Sequence, residues 1–199
     1  LPLPTTILIN ISNFLVNYWY IVIGLILLFS FLFYKFINSP TGRISWDRFC
    51  LNLPVIGKII RMIAISRFTK TLSTLLNGGV PLLNALDFVK NVVDNKILEK
   101  AVITARDSIK EGQSIAIPLK ESGEFPPIVT HMIAIGEKTG ELESMLNNIS
   151  DAYDTQVDNA MSGLTSLLEP IMIVLLGVIV AFIVVSIMLP ILDMNSFTS

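Results

Sequence analysis

Apolar positions in this chain follow two patterns: nearly unbroken runs near the two ends, and helical stripes between them. The runs cover 18–36 and 171–192. Crossing a bilayer takes ~20 apolar residues in a helix, so each run predicts one membrane span, placed at 18–37 and 169–192. Between them the stripes recur at helical spacing, with no alternating strand pattern. Ile65, Phe68, Leu72, Leu75 and Leu76 share a face, and Gly78-Gly79 ends that helix. Pro81 opens the next, with Leu82, Leu83, Leu86, Val89 and Val93 as its stripe. Asp94 or Asn95 is the expected cap of a third, carrying Ile97, Leu98, Ala101, Val102, Ala105 and Ile109 and stopped by Gly112. Ser114 is the expected cap of a short helix near Leu119, and Pro126-Pro127 opens one that reaches Gly136. From Glu141 a stripe through Leu142, Met145, Leu146, Ile149, Tyr153, Val157, Ala160, Met161, Leu164 and Leu168 runs on into the second span, so one nearly continuous rod is expected, with any kink near Pro170. The expected fold class is all-α: a membrane protein with an antiparallel bundle of about six helices at 38–168 between two transmembrane helices.

Charge orients that arrangement. All 14 Lys and Arg lie between Lys35 and Lys138, and residues 1–34 and 171–192 carry no charge. Lys and Arg mark the cytoplasmic side of a span. The bundle is therefore expected in the cytoplasm, with a connector at 1–17 and a tail at 193–199 outside it. Tyr18, Trp19 and Tyr20 form an outer aromatic belt, Tyr34 and Phe36 an inner one, and Lys35 reaches the inner headgroups. Within the connector, Pro2 and Pro4 read as extended chain and Thr5 or Thr6 as a helix cap. Ile7, Ile11, Phe14 and Leu15 share one face, which fits either a helix running into the span or a plain connector. The chain starts at Leu1, not Met, so a portion of a longer protein is expected, and no basic region before the first run marks a signal peptide.

The net charge of −2 excludes the strong basic excess usual in nucleic-acid binders. It hides a split. Residues 35–70 hold seven basic residues against Asp47 alone; residues 137–169 hold seven acids against Lys138 alone. Arg61, Arg67 and Lys70 on one side, with Glu137, Glu141, Asp151, Asp154 and Asp158 on the other, are the candidate cytoplasmic partner surface. Asp151, Asp154 and Asp158 fall on one helix face, either a solvated face or one that meets a basic partner.

Catalytic chemistry finds little support. His131 is the one histidine, and a metal site needs several ligands. Cys50 is the one cysteine, read as a small apolar filler. The string GEKTGE at 136–141 lacks the order of a phosphate loop and follows a helix rather than a strand, so it reads as a break between helices. No catalytic, cofactor or metal residue is expected. Neither span holds an ionisable residue in its middle, where ion and proton pathways place one. In the second span, Pro170 stands at the expected start, beside Glu169, whose expected role is a charge at a helix N-terminus. Gly177 and Ala181 form a small-x-x-x-small pair suited to close helix approach, and with Pro170 and Glu169 they make up the candidate membrane helix-packing residues.

Longer motifs add a resemblance. RFTKTLSTLLNGGVPLLNAL at 67–86, FPPIVTHMIAIGEKTGELESML at 125–146 and LLEPIMIVLLGVIVAFIVVSIMLPILDMN at 167–195, with LPLPT and GRISWDRFCLNLPVIGK before them, resemble the inner-membrane platform protein F of bacterial type II secretion. The related type IV pilus platform shares the fold, and LPILDMN looks more like the secretion branch. The resemblance implies two cytoplasmic domains and three spans in the whole protein, of which this chain matches the second half. It implies a non-enzymatic platform in the bacterial inner membrane. The implied partners are a cytoplasmic secretion ATPase, its membrane-bound adaptor and the major pseudopilin; membrane lipids and further copies of the chain complete the expectation. No cofactor and no nucleic acid are implied. A channel or transporter subunit and a membrane-anchored enzyme are the competing readings.

Overall fold

Glycine, proline and asparagine punctuation divides the chain into eight helices among the residues that the computed structural model describes, 3–196, with side chains at 16–188 and at Thr6, Asn10 and Phe14. They are α1 (Leu3–Ile37), α2 (Pro40–Asn52), α3 (Ile56–Asn77), α4 (Leu82–Val92), α5 (Lys96–Lys110), α6 (Ala116–Glu121), α7 (Pro127–Thr139) and α8 (Leu142–Ser196). The chain is all-helical, with a long apolar helix at either end of a helical bundle.

Residues 37–162 form one compact unit. Successive helices pack together from α2 through α7, and α2 also lies on α5. The core gathers the predicted stripes: Ile65, Phe68, Leu72, Leu86, Val89, Leu98, Val102, Leu119, Ile133 and Leu146 are fully buried. Phe68 meets Phe125 edge to face with ring centroids 5.4 Å apart, an arrangement favoured by the ring quadrupole. Asn95, not Asp94, caps α5: its side chain accepts from the N–H of Ile97 at 3.0 Å and of Leu98 at 3.3 Å. Two elements exceed the pattern. α2 carries no long apolar stripe, yet Leu51 joins the core; α3 begins at Ile56, well before the first predicted stripe residue.

The 136–141 string is a corner between α7 and α8. Gly140 takes φ +78°, a region glycine enters without steric cost, and Glu141 N–H returns to the Gly136 carbonyl at 2.9 Å, closing α7 in a Schellman turn. Gly136 itself is a close-approach site. A Cβ there would lie 2.9 Å from the Leu142 Cα.

The other unit comprises 1–36 and 163–199. Its helices are long and apolar enough to cross a membrane, Val16–Ile37 in α1 and the later part of α8. A third candidate, the α2–α3 pair, is bent by 108° at its break. Expectations about helix starts need correction. α1 already includes Pro4, Thr5 and Thr6, so Pro4 is not extended chain and neither threonine is a cap; Pro2 lies outside the described residues, as do 197–199 of the tail and the side chains of Ile7, Ile11 and Leu15. α8 runs unbroken through Pro170, as the expected continuous rod requires, so Pro170 is interior to that rod and not at a first helical turn. Glu169 is equally interior, so it faces no helix N-terminus.

Candidate partner surface

The charged residues sort by what holds them. Ser66 and Lys70 stand one turn apart on α3, opposite Asp154 of α8. The Asp154 carboxylate accepts from the Ser66 hydroxyl and from Lys70 Nζ, the latter at 2.9 Å. The Ser66 bond, then Lys70, hold the Asp154 carboxyl below its ordinary range. The hydrogen bond from Lys70 to Asp154 and the Asp154 charge, aided by Asp151, raise Lys70. Farther along, Ser73 Oγ donates to the Glu143 carbonyl at 3.1 Å. Small hydroxyl side chains on α3 thus tie the start of α8 to the bundle.

Arg61 is also engaged internally. Its Nε reaches Glu124 at 3.0 Å and its Nη1 the Leu51 carbonyl at 3.1 Å, stapling α3 to the loop before α7 and to the end of α2. Glu137 accepts from the Ser114 hydroxyl and from Ile115 N–H at 3.2 Å, so it secures the start of α6; the N-cap position falls to Ile115, not to the expected Ser114, which stands one residue earlier and accepts from Ala116 N–H. Arg67, Glu141, Asp151 and Asp158 are exposed, with no ion pair among the described residues. The eight predicted residues are accordingly not one surface. Four are built into the bundle's own contacts, and four present free charge to solvent.

In the other unit, Glu169, Gly177 and Ala181 are exposed. A Cβ at Gly177 would meet nothing within 4 Å, so this face has room for another helix.

Two hollows escaped sequence reading. One of about 660 Å³ between α6 and α7 is lined by Ile117, Ile128, Ala134 and Thr130 beside Lys120 and His131; Ile117 and Ile128 are more than half exposed. Their signal was legible as apolar residues off the buried stripes. The other, about 450 Å³, lies among Arg48, Asn52, Lys100, Thr104 and Glu121. No group of three or more His, Cys, Asp or Glu able to hold a metal occurs among the described residues. Burial, then the Asp47 charge, push the Cys50 thiol up, which suits a filler better than a nucleophile.

The class these features define is an all-helical protein with two helices long and apolar enough to cross a membrane and a bundle that offers charged surfaces and hollows. The chain belongs to the family "Type II secretion system (T2SS), protein F", whose model matches residues 68–190. It is 40% identical over 194 residues to the type IV pilus assembly protein PilC of Myxococcus xanthus, covering 98% of this chain and 46% of that protein. PilC of Thermus thermophilus is 39% identical, over 96% of this chain and 47% of its own length. The type II secretion system protein F of Vibrio cholerae is 35% identical, over 100% of this chain and 49% of its own. The chain spans about half the length of these relatives.

Proposed function

We propose that this chain is the second half of a non-enzymatic inner-membrane platform that couples a cytoplasmic ATPase to the assembly of a pilus-like filament. The observation that carries the reading is family membership combined with a bundle whose buried side chains serve packing and whose free charges lie on its surface. The ATPase, its membrane-bound adaptor and the filament subunit are the partners proposed. Arg67, Glu141, Asp151 and Asp158 are the residues best placed to meet the cytoplasmic ones, because their charge is not spent inside the bundle. Gly177 and Ala181 would admit a filament subunit's helix or a second copy of this chain.

Two machines fit. The LPILDMN ending supports type II secretion; the higher identity to the two PilC proteins supports type IV pilus assembly. Deleting the full-length gene and complementing it separates them. Loss of secreted proteins with pili intact supports the first, loss of pili with secretion intact the second, and loss of neither overturns both. Confinement of Lys and Arg to 35–138 supports a cytoplasmic bundle with both ends outside. In a Cys50→Ser background, Ser12→Cys and Ser196→Cys should react with an impermeant thiol reagent in spheroplasts, while Lys100→Cys should not. The reverse pattern would overturn the orientation.

A further inference from the structure

The turn between α2 and α3 exposes its apolar side chains. Phe49 is 55% exposed, Val55 57% and Ile56 52%, with Pro54 exposed between them. Contiguous exposed apolar groups of this kind mark interaction sites more often than ordinary surface. Cations accompany them: Arg48 and Lys58 are exposed at the same corner and form no ion pair among the described residues. Local acids are otherwise occupied. Asp47 accepts from the Lys96 N–H at 2.7 Å, and Glu124 holds Arg61; Glu121, across the hollow from Arg48, is the exposed exception.

We propose that this corner is a lipid-docking wedge that seats Phe49, Val55 and Ile56 among acyl chains while Arg48 and Lys58 bind anionic headgroups. Three observations favour lipid over a protein occupant. Only Asn38 and Ser39 separate the end of α1, an apolar helix long enough to span, from the start of α2. At ~1.5 Å per residue, α2 is about 20 Å long, so the corner is tethered within that reach of a bilayer surface. Taken together, α2 and α3 are apolar enough to pass for one span, yet their 108° bend makes them a corner. Apolar side chains flanked by Lys and Arg are the composition of segments that lie in the interface. The inference holds for either machine, since it needs only the membrane.

The test uses the whole chain reconstituted in vesicles of phosphatidylcholine with phosphatidylglycerol. In a Cys50→Ser background, a nitroxide is placed at Val55→Cys, at Ile56→Cys as a second reporter, and at the exposed Glu111→Cys as reference. Collisions with oxygen and with a water-soluble nickel chelate are then compared. Labels at 55 and 56 should favour oxygen and be shielded from nickel relative to 111. Arg48→Gln and Lys58→Gln should each lower the inserted-to-free ratio by about fivefold. Labels at 55 and 56 as wet as the one at 111 would overturn the wedge. An unchanged ratio in the double substitution would overturn the anionic headgroup contact. Spin–spin broadening that disappears on dilution with unlabelled chain would assign the corner to a second copy instead.

Discussion

Gly57→Ala tests the packing of the α2–α3 corner. A Cβ at Gly57 would lie 2.1 Å from the Leu51 carbonyl oxygen and 2.6 Å from its carbon. An ordinary contact of this type needs ~3.3 Å, so the Leu51 carbonyl must retreat by roughly 1 Å. Leu51 is a core residue, 3% exposed, and its carbonyl accepts Arg61 Nη1 at 3.1 Å. Overpacking costs about 1–3 kcal/mol. Loosening the Arg61 bond adds about 0.5–1.5 kcal/mol. The sum is a loss of about 2–4 kcal/mol, which at roughly 4 °C per kcal/mol lowers the unfolding midpoint by about 8–16 °C. The contrasting substitution is Gly163→Ala in α8, where a Cβ meets nothing within 4 Å; the better helix propensity should stabilise by about 0.5–1 kcal/mol. Thermal scans of the full chain in detergent, followed by far-ultraviolet circular dichroism, read both. A Gly57→Ala midpoint equal to that of the parent would refute the reasoning, because it would mean that the corner opens freely.

Further predictions address the core, the α3–α8 tie and the membrane face. Phe68→Ala removes a fully buried ring and its Phe125 contact, at about 3–5 kcal/mol, and should leave little folded protein in a protease-resistance assay. Asp154→Asn should cost less than about 1 kcal/mol near neutrality, since the pair is partly exposed, and should flatten the acid side of the stability profile. The Asp154 carboxyl is held below its unfolded value of ~3.9, so its contribution is present above that pH and is lost as pH falls through the folded value. Lys70 runs the other way: raised in the folded state, it contributes below ~10.4 and loses that contribution as pH rises through its folded value. An identical acid profile in Asp154→Asn would contradict the tie. Gly177→Leu with Ala181→Leu should abolish filament assembly or secretion without lowering protein level; normal function would show that this face meets only lipid.

Some of this was legible in residue order alone. The two helices long and apolar enough to cross a membrane follow from apolar runs that no aqueous bundle of this size would leave uncovered, and many helix boundaries follow from local chemistry. Pro127 lacks an N–H that a first helical turn does not use, Gly140 accepts positive φ, and Asn95 offers an oxygen to free N–H groups. These are short-range effects, acting within a turn or two. The family resemblance rested on the same contiguous strings. What contiguity cannot encode is which charges meet. Arg61 and Glu124 lie far apart in sequence, as do Ser66 and Asp154, yet each pair is in contact. The eight residues treated as one charged surface in sequence divide in space into internal ties and free charge. The continuous rod through Pro170 was legible too, because no loop signal other than Gly163 and Pro170 interrupts the stripe, and α8 carries the helix through. The exposed corner at Phe49, Val55 and Ile56 is likewise a tertiary fact: hydrophobicity is written in the sequence, but which apolar groups the core leaves outside depends on how α2 and α3 turn against each other.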